Sequence, residues 1–349
     1  MTENFQFWSI IFLRHYSQLK NKNLLWTSTR FDRYSDSSMI NAMKNNRPSI
    51  AVVGSSMMDL TCYADFLPAA GETTFGKSFT TGFGGKGANQ AIMASRCGSK
   101  VYMIGSVGKD LFGDSILQNF KRAGIDVSFT NNSDIPTGVA HIWVDTTGEN
   151  RIIIVPGANI EIDVENIAAA IASIPELRIV IAQCEIPQEV TISAFKSAKQ
   201  RGCLTLLNPA PYQPLSPELL AATDWMIVNE IEFSQIHPLR LAPSTDTIIS
   251  TFRPGKPTVV TLGAAGAAIV DVSGSVQRVA VPQIIPIDTT GAGDCFIGAF
   301  ASALIQDINP LKALHFGAAV ASQSVLRHGA QSSYPTSDEI TQILDRIGA

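Results

Sequence analysis

Gly291-Ala292-Gly293-Asp294 is the stretch of this sequence best suited to chemistry. An apolar approach, residues 279–287, reads as extended chain, and the apolar run 296–304 predicts a helix. The two glycines then fall at a helix N-terminus, with Asp294 in its first turn. Free backbone N–H groups and the positive end of the helix dipole make such a place an anion site. A carboxylate there adds nothing if the anion is only to be held. It has a use if it takes a proton from a group that attacks the anion, which is the logic of phosphoryl transfer. The plain alternative is an acidic first-turn residue after a Gly turn, and this segment alone leaves both open.

Gly82-Phe83-Gly84-Gly85-Lys86-Gly87 matches G-x-G-x-x-G. A dinucleotide fingerprint directly follows the first strand and opens its crossover helix. Here it lies far beyond the first predicted strand, residues 50–54, behind a Thr-rich stretch. Nor is it a Walker A loop, because Gly-Ala-Asn follows Lys86. The spacing suits backbone packed close to a small polar ligand, with Lys86 and Asn89 as donors; a Gly-rich turn with a solvated lysine is the alternative. Asp59 and Glu185 each come after a predicted strand, where a carboxylate can accept hydrogen bonds from a polyol or stand as surface charge. Thr261-Leu262-Gly263-Ala264-Ala265-Gly266 can approach a phosphate or close a hairpin. Asn229 and Glu232 have the spacing of a capping box, and Glu232 could instead orient waters around magnesium. No histidine pair has metal-ligand spacing, and there is no Gly-x-Ser-x-Gly elbow.

The elements that must position these groups follow from periodicity. Predicted strands at 50–54, 101–104, 179–183, 204–207, 225–228 and 259–262 alternate with predicted helices at 90–97, 111–123, 164–173 and 187–201. Residues 267–272 and 276–281 read as strands about a turn. Helices at 292–304, 311–326 and about 337–347 complete the chain. That alternation implies an α/β fold, a three-layer body with helices on both faces of a parallel sheet. A hairpin at 139–144 and 151–155 and the Thr-rich strand at 73–81 break the alternation. They predict a small β-sheet lid from about residues 60–82 and 137–157. Asp59, Glu185, Asn208, Asn229 and Gly263 follow strands, so they are expected on one rim of the sheet, where ligands of such folds bind.

With 349 residues, 45% of them hydrophobic, the chain can bury a large core, and its net charge of −4 argues against nucleic-acid binding. Five scattered cysteines, never spaced Cys-x-x-Cys, give no disulfide framework and imply a reducing compartment. No apolar run is long enough for a membrane span. Residues 1–47 are rich in Asn, Ser, Lys and Arg, and two readings stand for them: an organelle transit peptide, or a disordered extension ahead of a start at Met39 or Met43. The core domain is expected over 48–349, and the protein in the cytoplasm, with the nucleus also open.

Gly84-Gly85-Lys86-Gly87-Ala88-Asn89 and Asp288-Thr289-Thr290-Gly291-Ala292-Gly293-Asp294 resemble the two signatures of the ribokinase-like carbohydrate kinase family. Gly71-Glu72-Thr73, Gly157-Ala158-Asn159, Asn208-Pro209-Ala210-Pro211, Asn229-Glu230-x-Glu232, Thr261-Leu262-Gly263 and Gly329-Ala330-Gln331-Ser332-Ser333 extend the resemblance, in order, over residues 49–347. It implies transfer of the γ-phosphate of ATP to a sugar hydroxyl, with ribose as the sugar and its 5-hydroxyl as acceptor. By position, Asp294 resembles the catalytic base, and the N–H groups of Ala292 and Gly293 the anion hole. Asp59, Gly85, Lys86, Asn89 and Glu185 resemble the ribose-binding set. Asn229, Thr261, Gly263 and Gly266 resemble ATP contacts, and Glu232 the acidic residue tied to Mg²⁺. Asp288, Thr290, Ser324, Arg327, Gly329 and Ser333 resemble a monovalent-cation site, usually K⁺. Lids of the family pair into a homodimer. The sequence departs from the bacterial pattern at Met57, which stands in place of an asparagine. The segment 229–261 is also short and carries Pro238, Pro243, Pro254 and Pro257, which implies a trimmed helix near the adenine pocket.

Overall fold

A computed structural model describes residues 48–147, 149–236 and 255–347. The expected leader, 1–47, lies outside the described residues, as does most of the stretch where a trimmed helix was expected, 237–254.

The central strand β1 (Ser49–Val53) is buried along its whole length. Its alternate side chains enter different cores: Ile50 and Val52 on one face, Ala51 and Val53 on the other. A strand covered on both faces needs this continuous apolar run. Around it lie β4 (Lys100–Gly108), β5 (Asp126–Ser133), β8 (Leu177–Gln183), β9 (Leu204–Asn208), β10 (Trp225–Asn229), β11 (Thr258–Thr261), β12 (Ala267–Val270) and β13 (Val276–Val279). The sheet order is β13-β12-β11-β10-β9-β8-β1-β4-β5. From β5 to β11 neighbours pair in parallel, and β12 and β13 close the far edge antiparallel.

On the face of Ile50 pack α1 (Lys86–Arg96), α2 (Leu111–Arg122), α7 (Ala292–Leu304), α8 (Pro310–Ser324) and α9 (Ser337–Ile347). On the face of Ala51 pack α3 (Val164–Ser173), α4 (Gln188–Gln200) and the short α5 (Pro217–Ala222). The three-layer α/β body expected from the alternation is the observed one. Sequence periodicity missed β5 and α5. The first is a partly exposed, Asn-rich edge strand, and the second spans six residues.

Four strands form a separate sheet of order β3-β2-β6-β7: β2 (Met57–Ala64), β3 (Gly76–Gly84), β6 (Gly138–Val144) and β7 (Asn150–Val155). The predicted hairpin is β6–β7, with His141 opposite Ile153. One expectation needs correcting. Asp59 does not follow β1; it sits inside β2, opposite Gly82 on one side and Ala140 on the other. Burial along β2 does not alternate: Met57 and Met58 are buried and the residues from Asp59 to Cys62 are all partly exposed, so no period of two marks the strand.

Helix α7 is buried from Asp294 to Leu304 without a break. A helix apolar all round must be packed on all sides. Gly298 shows how close that packing is. A Cβ there would lie 2.7 Å from the Gln90 carbonyl of α1 and 2.7 Å from Met93 Cβ. This contact sets Asn89 and Gln90 against the start of α7.

Candidate active site

The helix start predicted at Gly291 is present. Gly291 caps α7 in the left-handed region, φ 74°, with no side-chain cap. A Cβ at this position would meet Tyr334 Oη at 2.8 Å, and the Tyr334 hydroxyl donates to the Gly291 carbonyl at 2.9 Å. Only glycine combines that φ with that contact. The Ala292 N–H donates to the Thr289 carbonyl at 3.2 Å, so in this structure it is engaged within the turn. The first α7 N–H bonded back to the turn in the helical manner is that of Cys295, to Gly291, at 2.8 Å. Gly293 therefore lies in the unpaired first turn, and nothing stands within 4 Å of where its Cβ would be. Open space beside an unpaired first-turn N–H leaves room for an incoming anion.

Asp294, only 7% exposed, follows immediately. Asn89 Nδ2 donates to its Oδ2 at 3.0 Å and Gln90 Nε2 to its Oδ1 at 2.8 Å. Each carboxylate oxygen keeps a further lone pair, so the group is oriented without being used up. Sequence reading missed Gln90. Its only signal was adjacency to Asn89 on a helix start, where successive residues ordinarily point apart.

The glycine run ahead of α1 also serves the protein's own packing. Gly84 makes room for the Asp59 carboxylate, which would lie 2.1 Å from a Cβ. Gly85, φ 87°, faces the backbone of residues 55–57 at 2.9–3.0 Å, and Gly87 faces Gly54 and Ser55 at 2.7 Å. The close approach is therefore to the protein's own crossing segment between β1 and β2. It brings the start of α1 against that crossing, and Glu185 joins the two: its Oε2 accepts from the Lys86 N–H at 2.9 Å and from Ser55 Oγ at 2.5 Å. Asn159 locks the same crossing, accepting from the Ser56 N–H at 2.8 Å and donating to its carbonyl at 3.0 Å.

These charges act on one another. Burial, then Glu185, then Asp294 push the Asp59 carboxyl up to about 7. Burial also raises Glu185, against the pull of Lys86, Ser55 and a backbone N–H. For Lys86 burial acts downward, but Asp294, Glu185 and Glu232 outweigh it and hold the ammonium above its ordinary value. One buried ammonium thus sits in the field of several carboxylates, as a site for hydroxyls and phosphate requires.

Asp59 gives a testable pH dependence. Its folded value of about 7 lies above the ordinary 3.8, so within that window the folded protein holds a proton the unfolded chain has released. Stability must fall as pH rises through the window. Asp59→Asn, a mimic of the neutral acid, should gain thermal stability over the unsubstituted protein on going from about pH 5 to about pH 8. Melts at the two pH values check this; a constant difference between the proteins would refute it.

On the other side, Asn229 ends β10 and Glu232 lies in α6 (Glu230–Ile236). The capping box is formed: Glu232 N–H donates to Asn229 Oδ1 at 2.8 Å, and the Glu232 carboxylate accepts from the Asn229 N–H at 2.9 Å and its Nδ2 at 3.1 Å. Thr261 ends β11, and residues 263–265 form a single exposed turn. Gly263 has nothing within 4 Å of a Cβ position, whereas at Gly266 a Cβ would strike the Val279 carbonyl at 2.0 Å. Gly263 thus faces open space, and Gly266 gives room to the end of β13.

The cation candidates gather beside Gly291. Asp288 accepts from the Thr290 N–H at 2.9 Å and the Gly329 N–H at 2.8 Å, which ties the segment before α7 to the one after α8. Ser324 and Ser333 hydroxyls donate to nearby carbonyls, at 2.8 Å each, leaving their oxygen lone pairs. The Arg327 guanidinium is committed to Glu339, so it can offer a cation only its main-chain oxygen. The set is one of hard oxygens and fits a monovalent cation. Among the described residues no group of three or more His, Cys, Asp or Glu could hold a metal, so magnesium bound here would rely on phosphate oxygens, with Glu232 as the nearby carboxylate.

Residues 47–337 match the model of the pfkB family carbohydrate kinases. The chain belongs to that family. A ribokinase of Bacillus subtilis is 38% identical over 299 residues, covering 85% of this chain and 99% of its own length. Among solved structures, a ribokinase of Thermotoga maritima superposes with a TM-score of 0.77 at 34% identity, covering 85% of this chain and 99% of its own. A ribokinase of Arabidopsis thaliana complexed with ribose and ATP has a TM-score of 0.77 at 29% identity, with coverage of 86% and 99%. The pfkB assignment makes this protein a phosphotransferase with an alcohol group as acceptor.

Proposed function

We propose that this chain transfers the γ-phosphoryl group of ATP to the 5-hydroxyl of D-ribose. The observation that carries the reading is a buried carboxylate, Asp294, next to the open first-turn N–H of Gly293. Asp294 takes the proton of the attacking hydroxyl. Gly293 N–H and the α7 dipole receive charge on the transferring group, and Lys86 neutralises it. Asp59, Glu185, Asn89 and the Gly85 turn bind the sugar hydroxyls. Asn229, Thr261 and Gly263 face the nucleotide. Magnesium, when bound, neutralises phosphate charge, with Glu232 orienting its waters. A potassium ion among Asp288, Thr290, Ser324, Arg327, Gly329 and Ser333 would strengthen the adjacent anion hole electrostatically.

Ribose, 2-deoxyribose, fructose and adenosine assayed with MgATP in potassium and in sodium salts test this. Ribose should lead in kcat/KM by about tenfold or more, and its rate should drop in sodium. Equal use of adenosine would overturn the sugar assignment, and equal rates in both salts would remove the cation.

The small sheet also has a partner in this reading, a second copy of the chain. Edge strand β7 exposes Ile152, Ile153, Ile154 and Val155, and Tyr63, Phe79 and Trp143 are exposed beside it on the same sheet. An apolar edge of this kind is a liability unless covered. Sedimentation at varied protein concentration distinguishes a homodimer from a monomer.

A further inference from the structure

Two chains of side-chain amides end on the two oxygens of Asp294. In the first, Asn119 Nδ2 donates to Gln331 Oε1 at 2.9 Å, Gln331 Nε2 to Asn89 Oδ1 at 3.0 Å, and Asn89 Nδ2 to Asp294 Oδ2 at 3.0 Å. In the second, Gln183 Nε2 donates to Gln90 Oε1 at 2.7 Å and Gln90 Nε2 to Asp294 Oδ1 at 2.8 Å. A side branch from Gln90 Nε2 reaches Asn208 Oδ1 at 3.3 Å, and Asn208 is anchored on the Ile227 carbonyl at 3.0 Å. Gln90, Gln183, Asn89 and Gln331 are all buried.

The polarity of both chains is forced from the inner end. An ionised carboxylate only accepts, so the amides touching it must present NH₂. Their carbonyls then point outward, and the next amide must again present NH₂. Five amide dipoles therefore aim their positive ends at one carboxylate. Aligned hydrogen bonds polarise one another, and donors to a carboxylate favour its charged form. The second chain stops at Gln183 Oε1, which is buried without a hydrogen-bond partner among the described residues. A Cβ on Gly54 would lie 2.1 Å from that oxygen, so the glycine makes the room it occupies. Accepting a buried unpaired oxygen makes physical sense if the other end of the amide is needed.

We propose that Asn119, Gln331, Gln183 and Gln90 are positioning residues that hold Asp294 as an oriented proton acceptor through two chains of like-oriented amides. The proposal rests on the reading of Asp294 as the base. The amides do not act on it alone: Lys86 of α1, Asp59 of β2, Glu185 after β8 and Glu232 of α6 are the charged or titratable groups that share its electrostatic field, and Cys295 of α7 and Tyr334 after α8, both held neutral by burial, face it as well.

The test uses the full chain in phosphoryl transfer from MgATP to ribose. Gln183→Met breaks the second chain one link from Asp294, and Asn119→Ala breaks the first two links away. Loss of oriented donors disfavours the charged base, so the acidic limb of the kcat–pH profile should move to higher pH in both. kcat should fall about fivefold in Gln183→Met and about twofold in Asn119→Ala. KM for ribose and for ATP should stay within about twofold, since neither residue is placed against a substrate. A purely structural role would lower the melting temperature or raise KM without moving the limb, and that result overturns the proposal. If Gln183→Met does not fold, Asn119→Ala decides, because its site on α2 is half exposed. An active Asp294→Asn enzyme would overturn the base reading and the proposal with it. An inactive Asp294→Asn with unmoved limbs in the amide variants would overturn the proposal alone.

Discussion

Asp294→Asn should lower turnover by about 10³-fold while ribose still binds. The substitution keeps shape and removes the lone pair that would accept the proton. It also disturbs what surrounds it. Both carboxylate oxygens accept from amide NH₂ groups at 2.8 and 3.0 Å. The new side chain has one oxygen and one NH₂, so one of the two neighbours would face a donor. A buried donor left unpaired costs about 1–3 kcal/mol, and a lower melting temperature should accompany the loss of turnover. Single-turnover transfer to ribose, with calorimetry for ribose binding, separates the two effects. Turnover near normal would remove Asp294 from the role of base.

Gly293→Ala should move stability and activity in opposite directions. Gly293 is in the first turn of α7 at ordinary negative φ, with nothing within 4 Å of a Cβ. Alanine there is tolerated by the fold and favoured by the helix, by up to about 1 kcal/mol. The methyl group would occupy the open space beside the unpaired N–H, which on the proposed reading an incoming phosphoryl group uses. Turnover should drop by about 10²-fold. Thermal melts and kcat on the same preparation check both signs; unchanged turnover would show that phosphate does not pass this position. Gly291 is the useful contrast, since a Cβ there strikes Tyr334 Oη and Ala330 and its φ is positive.

The body of the fold could be read from the sequence because β1, β8 and β10 are covered on both sides and carry apolar runs, 50–53, 179–182 and 225–228. The α7 start could be read because a Gly turn and a first-turn carboxylate precede a long apolar run, although that pattern alone did not decide what the carboxylate does. What escaped was set by contacts far apart in the chain. Asp59 was expected just past the first strand because nothing in residues 57–64 marked a second strand starting so soon after β1. The meaning of Gly84, Gly85 and Gly87 depends on a crossing segment some thirty residues earlier, and no local pattern reveals it. The amides Gln90, Gln183, Gln331 and Asn119 carry no motif of their own; only their convergence on Asp294 gives them significance.

The hydroxyl of Tyr334 on the Gly291 carbonyl has a consequence in time. The ribosome makes residues 288–294 before residues 327–334, yet the earlier segment receives its shape from the later one. Gly329 N–H grips Asp288, Gln331 reaches Asn89, and Tyr334 closes the turn. A growing chain can assemble most of the parallel sheet while the turn before α7 still lacks its last supports. That turn is therefore completed only once Tyr334 has been made, and fragments ending before Tyr334 would lack those supports however well the rest of the body folds.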